Sequence, residues 1–390
     1  AQPVFAGEEE SPDCPPHVLC LSVQDPVPLA RQVEQSVVAL VVKPVESSPR
    51  DQEAESPGET SFEIVEVLRD SDDRFTQGET VTYRRDIGAK EGGSYLLFDF
   101  HKNRKDAQWS RPVRTSDAML RYVKEAPNPD TPVTDRLRYF LPFLEHDDVE
   151  ISSDAYRELR YADHTVFRTL KADLPTETLR SWVSDREMYA TRVGFCSELL
   201  GLVGNADDAA FLEARILESP RESRLGVDGM VAGYLMLTGE EGLDVIDREK
   251  LADPEQPLSE VYASMQSLQF IWTYEPELFS RDRLRASMRL LLERPDLAEF
   301  VVDCLARWHD WSVTDRLMEL YDEEFSEPGT RNSIIRYYLS ATNTDMVNLD
   351  DEDVPPAETV TRCSEYLSLI RTRDPERVEQ VERNFFEHWK

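Results

Sequence analysis

The chain predicts an α+β, multidomain fold in which a small antiparallel β-barrel precedes an all-α array of stacked helical hairpins. Three observations carry that expectation. At 390 residues the chain is longer than one core usually supports, so two domains are the starting expectation. Residues 14–112 break into short β-branched and aromatic runs separated by polar turns. From 113 to 345 the apolar residues recur at helical spacing instead, in segments joined by short turns rich in Pro, Gly or Asp. Residues 1–13 precede these regions as a flexible acidic tail. Residues 346–390 follow as an acidic linker (NLDDEDVPP at 348–356) and a C-terminal helix.

The β region reads in order. Residues 36–42 (SVVALVV) form a β-branched run of strand length, and 45–60 (VESSPRDQEAESPGET) a long polar loop. Residues 62–68 (FEIVEVL) form a second strand whose apolar phase changes midway, the mark of a bulge. Asp70 to Arg74 turn the chain into a third strand at 79–83 (ETVTY). Gly92 and Gly93 precede a fourth at 95–100 (YLLFDF), and 109–113 adds a short fifth. Five antiparallel strands in about 100 residues suit a small closed barrel, which leaves no exposed edge.

The helical region opens with 134–144 (TDRLRYFLPFL), which pairs a capping Thr and a first-turn Asp with a buried stripe. A counterpart returns at 314–321 (TDRLMELY), and a degenerate start at 281–284 (RDRL). Between and around them the same periodicity predicts helices at 151–161, 176–183, 187–202, 207–217, 258–273, 296–308 and 330–340. No strict repeat length holds, but ten or so amphipathic helices with short connections point to a HEAT-like solenoid, the alternative being one irregular helical globule.

Composition narrows the function classes. With 77 acidic against 44 basic residues the net charge is −33, which opposes a nucleic-acid groove and an anionic membrane surface. Apolar residues at 40% supply real cores, so wholesale disorder is excluded, and no apolar run is long enough to span a bilayer. Of the 44 basic residues 36 are Arg, a skew attributed to base composition and not to a site. The chain starts Ala1-Gln2-Pro3, as after signal-peptide cleavage, so a secreted or periplasmic location is expected. In that compartment Cys14 and Cys20, six apart in CPPHVLC, are a disulfide candidate or two free thiols; Cys196, Cys304 and Cys363 read as small buried hydrophobes.

Motifs for nucleophilic elbows, zinc proteases, phosphate loops and dinucleotide loops are absent from the sequence. The weak metal candidates are His146, Asp147 and Asp148, after Glu145, joined by His164 beside Asp163; the competing reading is a helix end followed by an Asp cap. Trp308-His309-Asp310-Trp311 reads either as an aromatic ligand cleft or as packing at a helix end. Phe385, Phe386 and Trp389 either dock back on the last helix or face a partner. Asp70-Ser71-Asp72-Asp73 and Asp350-Asp351-Glu352-Asp353 offer hard oxygen ligands, so calcium is possible, but neither has EF-hand spacing and the competing reading is a solvated turn and a solvated linker; otherwise no cofactor is expected.

Two resemblances follow from these residues. The early cysteines with SVVALVV, FEIVEVLRD, GETVTY and GGSYLLF resemble the netrin-like, tissue-inhibitor-of-metalloproteinase-like OB barrel of bacterial secreted proteins, over about a quarter of the chain. Those inhibitors grip a target's zinc through an N-terminal Cys-x-Cys; here Cys14 lies thirteen residues inside and Pro15-Pro16 follow it, so the resemblance implies the OB-like fold and not inhibition. The stretches RLRYFLPFLEHDDVEISSDAYREL, RVGFCSELLGLVGNADDAAFLEARI, GVDGMVAGYLMLTGEEGLDVI, LARWHDWSVTDRLMELY and NSIIRYYLSA resemble a family of uncharacterised planctomycete secreted proteins. That likeness covers most of residues 30–345. It implies architecture and compartment, and no reaction.

The functional expectation is a non-catalytic secreted binding or scaffold protein acting through its helical-repeat surface. Its acidic field favours a basic protein or peptide partner, with no nucleic acid and no membrane span. The alternatives are a protease inhibitor or regulator acting through the OB-like domain, and a metal-dependent hydrolase built on His146 and His164.

Overall fold

A computed structural model describes residues 26–49, 58–88, 92–102, 106–128, 130–185, 188, 190–218, 226–323, 326–344 and 353–387. The tail, Cys14, Cys20 and most of the acidic linker lie outside the described residues. The fold is α+β, with a five-stranded antiparallel sheet followed by many helices. The chain divides into two compact units, one spanning Ser22–Pro175 and the other running on from Thr176. The division falls well past residue 112, where the residue pattern changes, because four helices belong to the sheet's unit.

In the first unit α1 (Leu29–Gln35) leads into β1 (Val38–Ser48), β2 (Glu59–Asp70), β3 (Thr80–Tyr83), β4 (Ser94–Asp99) and β5 (Val113–Thr115). The strand order is β3-β2-β1-β4-β5, every pair antiparallel. The expected bulge is present and repeated: Leu68 and Val65 of β2 and Val45 of β1 have no opposite residue in the β1–β2 ladder, the last beside Pro44. These irregularities curl the sheet around one cluster made by Val38, Leu40, Val42, Phe62, Ile64, Tyr95 and Leu97. Residues of the opposite phase, Ala39, Val41, Leu96 and Phe98, are also buried.

The barrel does not close. Among the described residues no ladder joins β3 to β5, and both are short, with four and three residues. The expected polar loop at 45–60 is shorter than its composition implies, since β1 runs to Ser48 and β2 starts at Glu59. There Glu46, Ser47 and Ser48 pair with Ser61, Thr60 and Glu59. Most of this hairpin end is exposed, so its strands need no apolar alternation. The fifth strand lies at Val113–Thr115, past the expected 109–113.

The helices α2 (Asp117–Glu125), α3 (Val133–Phe140), α4 (Val149–Arg160) and α5 (His164–Thr169) complete this unit. Two fully buried acids on α4 tie it together. Asp154 accepts the Leu29 N–H at 2.9 Å and the Tyr122 hydroxyl at 3.1 Å, while Glu158 pairs with Arg31 at 2.8 Å and lies 4.0 Å from Arg136. Burial raises both carboxyls above their ordinary values.

The second unit holds α6 (Thr176–Ser184), α7 (Ala190–Val203), α8 (Ala206–Ile216), α9 (Val227–Thr238), α10 (Glu240–Ile246), α11 (Leu258–Tyr274), α12 (Arg281–Arg289), α13 (Ala298–Arg307), α14 (Thr314–Asp322), α15 (Pro328–Thr342), α16 (Ala357–Arg373) and α17 (Pro375–Glu387). The single C-terminal helix expected from the sequence is two helices, broken at Asp374 because Pro375 cannot continue α16 and starts α17 instead. Cys196, Cys304 and Cys363 are buried free thiols, and burial pushes Cys196 up to about 12 and Cys363 to about 11. Among the described residues no helix is long and apolar enough to cross a membrane.

Alternate helices run in the same direction, because their contacts advance together. Gly194 of α7 meets Gly229 of α9, and one turn on Ser197 meets Gly233. Along α11 and the end of α13, Tyr262 meets Phe300 and Trp272 meets Trp308. Between α13 and α15, Glu299 lies against Gly329 and Asp303 against Arg336. A second row shows the same order: Arg180 to Asp208 then Val183 to Arg215 in α6 and α8, and Asp315 to Arg362 then Asp322 to Arg373 in α14 and α16. Two rows of parallel helices are consistent with a solenoid.

The α7–α9 crossing is the tightest. A Cβ on Gly229 would overlap the Gly194 carbonyl, and one on Gly233 the Ser197 carbonyl. Helix propensity alone favours Ala over Gly by about 1 kcal/mol, but forced overlap with backbone costs about 3 kcal/mol. Gly233→Ala is therefore expected to lower the urea midpoint of unfolding substantially. An unchanged or raised midpoint would show that the crossing tolerates separation.

Candidate functional site

Of the metal candidates, His146 and Asp148 serve local structure. Asp148 caps α4, its carboxylate accepting the Glu150 N–H at 3.0 Å, and its own N–H donates to His146 Nδ1 at 3.0 Å. Asp163 caps α5 in the same way through Thr165, and His164 is buried at the start of that helix. Asp147 joins neither arrangement in any described contact. Among the described residues no three His, Cys, Asp or Glu side chains gather as metal ligands. The Asp70 carboxylate accepts the backbone N–H groups of Asp72, Arg74 and Phe75, closing the turn that the sequence offered to calcium. Of the aromatic C-terminus, Phe385 and Phe386 pack edge to face at 5.2 Å, while His388 and Trp389 lie outside the described residues.

The Trp308–Trp311 string is where chemistry concentrates. Trp308 stacks on Trp272 at 4.3 Å and 7° between planes, and the guanidiniums of Arg281 and Arg285 each sit 5.5 Å from the Trp272 ring. Arg285 donates to the Trp308 carbonyl. Past Trp308 the chain reverses through His309 at φ 52°, a left-handed conformation that few side chains adopt. Asp310 then caps the next turn through Ser312 and takes a bidentate pair from Arg289 at 2.6 and 3.1 Å.

Into this cluster projects Asp353, the last acid of the linker. Its carboxylate accepts from Arg281 at 2.6 Å and Arg285 at 3.0 Å, and lies 3.4 Å from His309 Nδ1. Its carbonyl accepts the Trp311 indole N–H at 2.8 Å. The linker acid expected in solvent is only 5% exposed and is the pin that fixes the start of α16. Of the two readings of this string, packing at a helix end is the one these contacts match, with the space between the rings and Asp353 filled by the chain itself. Trp272, Arg281, Arg285 and Asp353 were not singled out together from sequence; the only local trace is Arg281 and Arg285 at i,i+4 on one helix face.

Burial alone would raise the Asp353 carboxyl, but Arg281 and His309 hold it below its ordinary value. Burial lowers His309, and Arg285 and Arg281 add to that against the opposing pull of Asp353. For both groups the contribution to stability is lost as pH falls: for His309 below its ordinary value of about 6.5, and for Asp353 below about 4.

On the surface of the same unit, Leu258 and Phe300 are 46% and 49% exposed, and the Phe300 ring meets Tyr262 at 6.0 Å. They form an apolar ridge across neighbouring layers, flanked by the exposed acids Glu255 and Asp296 in the adjoining turns.

No protein-family profile matches the chain, and no curated protein matches it. Among solved structures, human deoxyhypusine hydroxylase in complex with glycerol aligns with 70% of this chain and 98% of its own, at 14% identity and a TM-score of 0.24. A likeness at that level carries no argument.

Asp353→Ala is expected to destabilise the C-terminal hairpin by about 3 kcal/mol, since it removes the sheltered carboxylate that Arg281 and Arg285 share and leaves Arg285 only the exposed Asp282. Amide exchange of α16 and α17 should speed up at pH 7 in the variant. In the parent chain the protection of the same amides, taken relative to their intrinsic exchange rate at each pH, should fall as pH falls from 7 toward 4. Exchange indifferent to both would show that the hairpin is held elsewhere.

Proposed function

We propose that the protein is a non-catalytic binding scaffold, and that its helical unit is a HEAT-like solenoid whose surface receives a basic protein or peptide. The observation that carries this reading is the layering of parallel helices, which sets the Tyr262–Phe300 ridge across two layers and leaves Leu258 and Phe300 half exposed. Stacked hairpins present such ridges without strain, because each helix already buries its other face on its neighbours. Residues 176–390 carry 44 Asp and Glu against 23 Lys and Arg, so a partner with Lys or Arg around an apolar core is attracted and an acidic one repelled. The pinned Asp353 supports the same reading, since it holds the terminal hairpin against the preceding layers and makes one rigid platform.

The test is binding of a labelled amphipathic peptide with Leu on one helical face and Lys on the other, read by fluorescence anisotropy. Salt-sensitive binding is expected, weakened about tenfold by Phe300→Ser with an unchanged melting temperature. Equal binding by the variant would move the site off this ridge, and no binding of the Lys peptide would remove the basic-partner reading.

A further inference from the structure

The unclosed sheet leaves a cleft at its seam. Its volume is about 810 Å³, inside the range of about 300–1,000 Å³ typical of ligand sites. One wall is Thr82, Tyr83, Arg84 and Arg85, at and just past the end of β3; the other runs from Asp106 through Trp109 to Arg111. Tyr83 and Trp109 are half-buried against the core, with Trp109 5.4 Å from Phe75, so the cleft has an apolar floor.

The charge of this cleft is opposite to that of the chain. Residues 84–121 hold nine Arg and Lys against five Asp and Glu, where the whole chain holds 44 against 77. In the helical unit many arginines are matched to carboxylates, as Arg180 is to Asp208 and Arg336 to Asp303. Arg84, Arg85 and Arg111 are exposed, and no carboxylate pairs with any of them among the described residues. Two acids lie close by in sequence. The Asp86 carboxylate is engaged by the Ser47 hydroxyl at 2.7 Å and the Gly88 N–H at 2.8 Å, while Asp106 lines the cleft mouth.

The shape selects among anions. Among the described residues β3 pairs with β2 alone, so alternate residues along its four-residue length of about 13 Å present backbone donors and acceptors on the other side. Guanidiniums, an apolar floor and a free strand edge together match an extended chain that carries carboxylates.

We propose that the seam cleft is a docking groove for an extended acidic peptide, which adds as a strand to the free edge of β3 while its carboxylates meet Arg84, Arg85 and Arg111. This rests on the first unit alone and is independent of the helical-surface reading. The cleft selects an acidic partner, and the Phe300 ridge a basic one.

The experiment uses the full chain and a fluorescein-labelled peptide of alternating Glu and Val, read by anisotropy at low and high salt. Three comparisons accompany it: the Lys–Val peptide, the Glu–Val peptide with alternate amides N-methylated, and a sulfated oligosaccharide as competitor. The Lys–Val peptide, whose charge suits the helical surface, is expected to bind independently of the cleft arginines, whereas the Glu–Val peptide is expected to bind at the cleft. Arg84→Ala with Arg111→Ala should weaken Glu–Val binding at least about tenfold, the worth of one charge-assisted hydrogen bond. Both side chains are exposed, so the melting temperature should not move. N-methylation should weaken binding by a similar factor, because it removes strand pairing and keeps the charge. The proposal is overturned if the Glu–Val peptide fails to bind, if the arginine variant binds it equally, or if the N-methylated peptide binds as well. It is also overturned if the oligosaccharide displaces the peptide at far lower concentration, which would make the cleft a polysaccharide site.

Discussion

Two glycines on α9 set how closely the layers of the helical unit approach. Gly229 and Gly233 lie one turn apart, each facing a backbone carbonyl of α7 where a methyl group would have no room. With no side chain between the backbones, α9 sits deeper than any neighbour, and every residue from Val227 to Leu235 is buried. Around that axis the next helices take their places: Ser267 of α11 donates to the Asp228 carbonyl, and Tyr234 reaches Glu213 of α8. A helix apolar on all sides is stable in water only when surrounded, so α9 and its neighbours are interdependent.

Away from that centre, charge holds the layers in register. The Arg of each Asp-Arg-Leu start meets acids outside its own turn. Arg136 meets Glu34 and Glu158, Arg283 meets Asp244 and Asp247, and Arg316 meets Glu293. Exposed pairs such as Arg316 with Glu293 contribute little, about 0–1 kcal/mol each, whereas Arg136 meets Glu158 out of solvent. What they add is direction, because a guanidinium fork fits a carboxylate in few orientations. Asp353 is different in kind. Sheltered and shared among two arginines and a histidine, it resists replacement by water, so one linker residue governs where the terminal hairpin lies.

The first unit reaches its shape by another route. Three irregularities in one ladder turn a flat hairpin into a curled sheet, which buries Val38 to Val42 of β1 and most of β4 on both faces. The same curl brings β3 toward the 106–111 segment without pairing them, since β3 spans too few residues to complete the circle. The open seam is therefore a consequence of strand length, and its arginines stand where a closed barrel would have had a ladder.

Much of this was legible in the residues. Apolar periodicity and capping acids located most of the described helices to within a few residues, and the phase change in FEIVEVL foretold the bulge, because these signals act within one or two turns of chain. The cap at Asp148 was readable for the same reason. The site was not. Asp353 looks like solvent-exposed linker until Arg281, Arg285 and His309, some 44 to 72 positions earlier, are folded around it. The closure of the barrel and the identity of unpaired arginines were equally hidden, since an arginine's partner is set by which helix lies beside it. Local pattern determined the elements; only tertiary packing decided which charges were neutralised and which were left facing an open cleft.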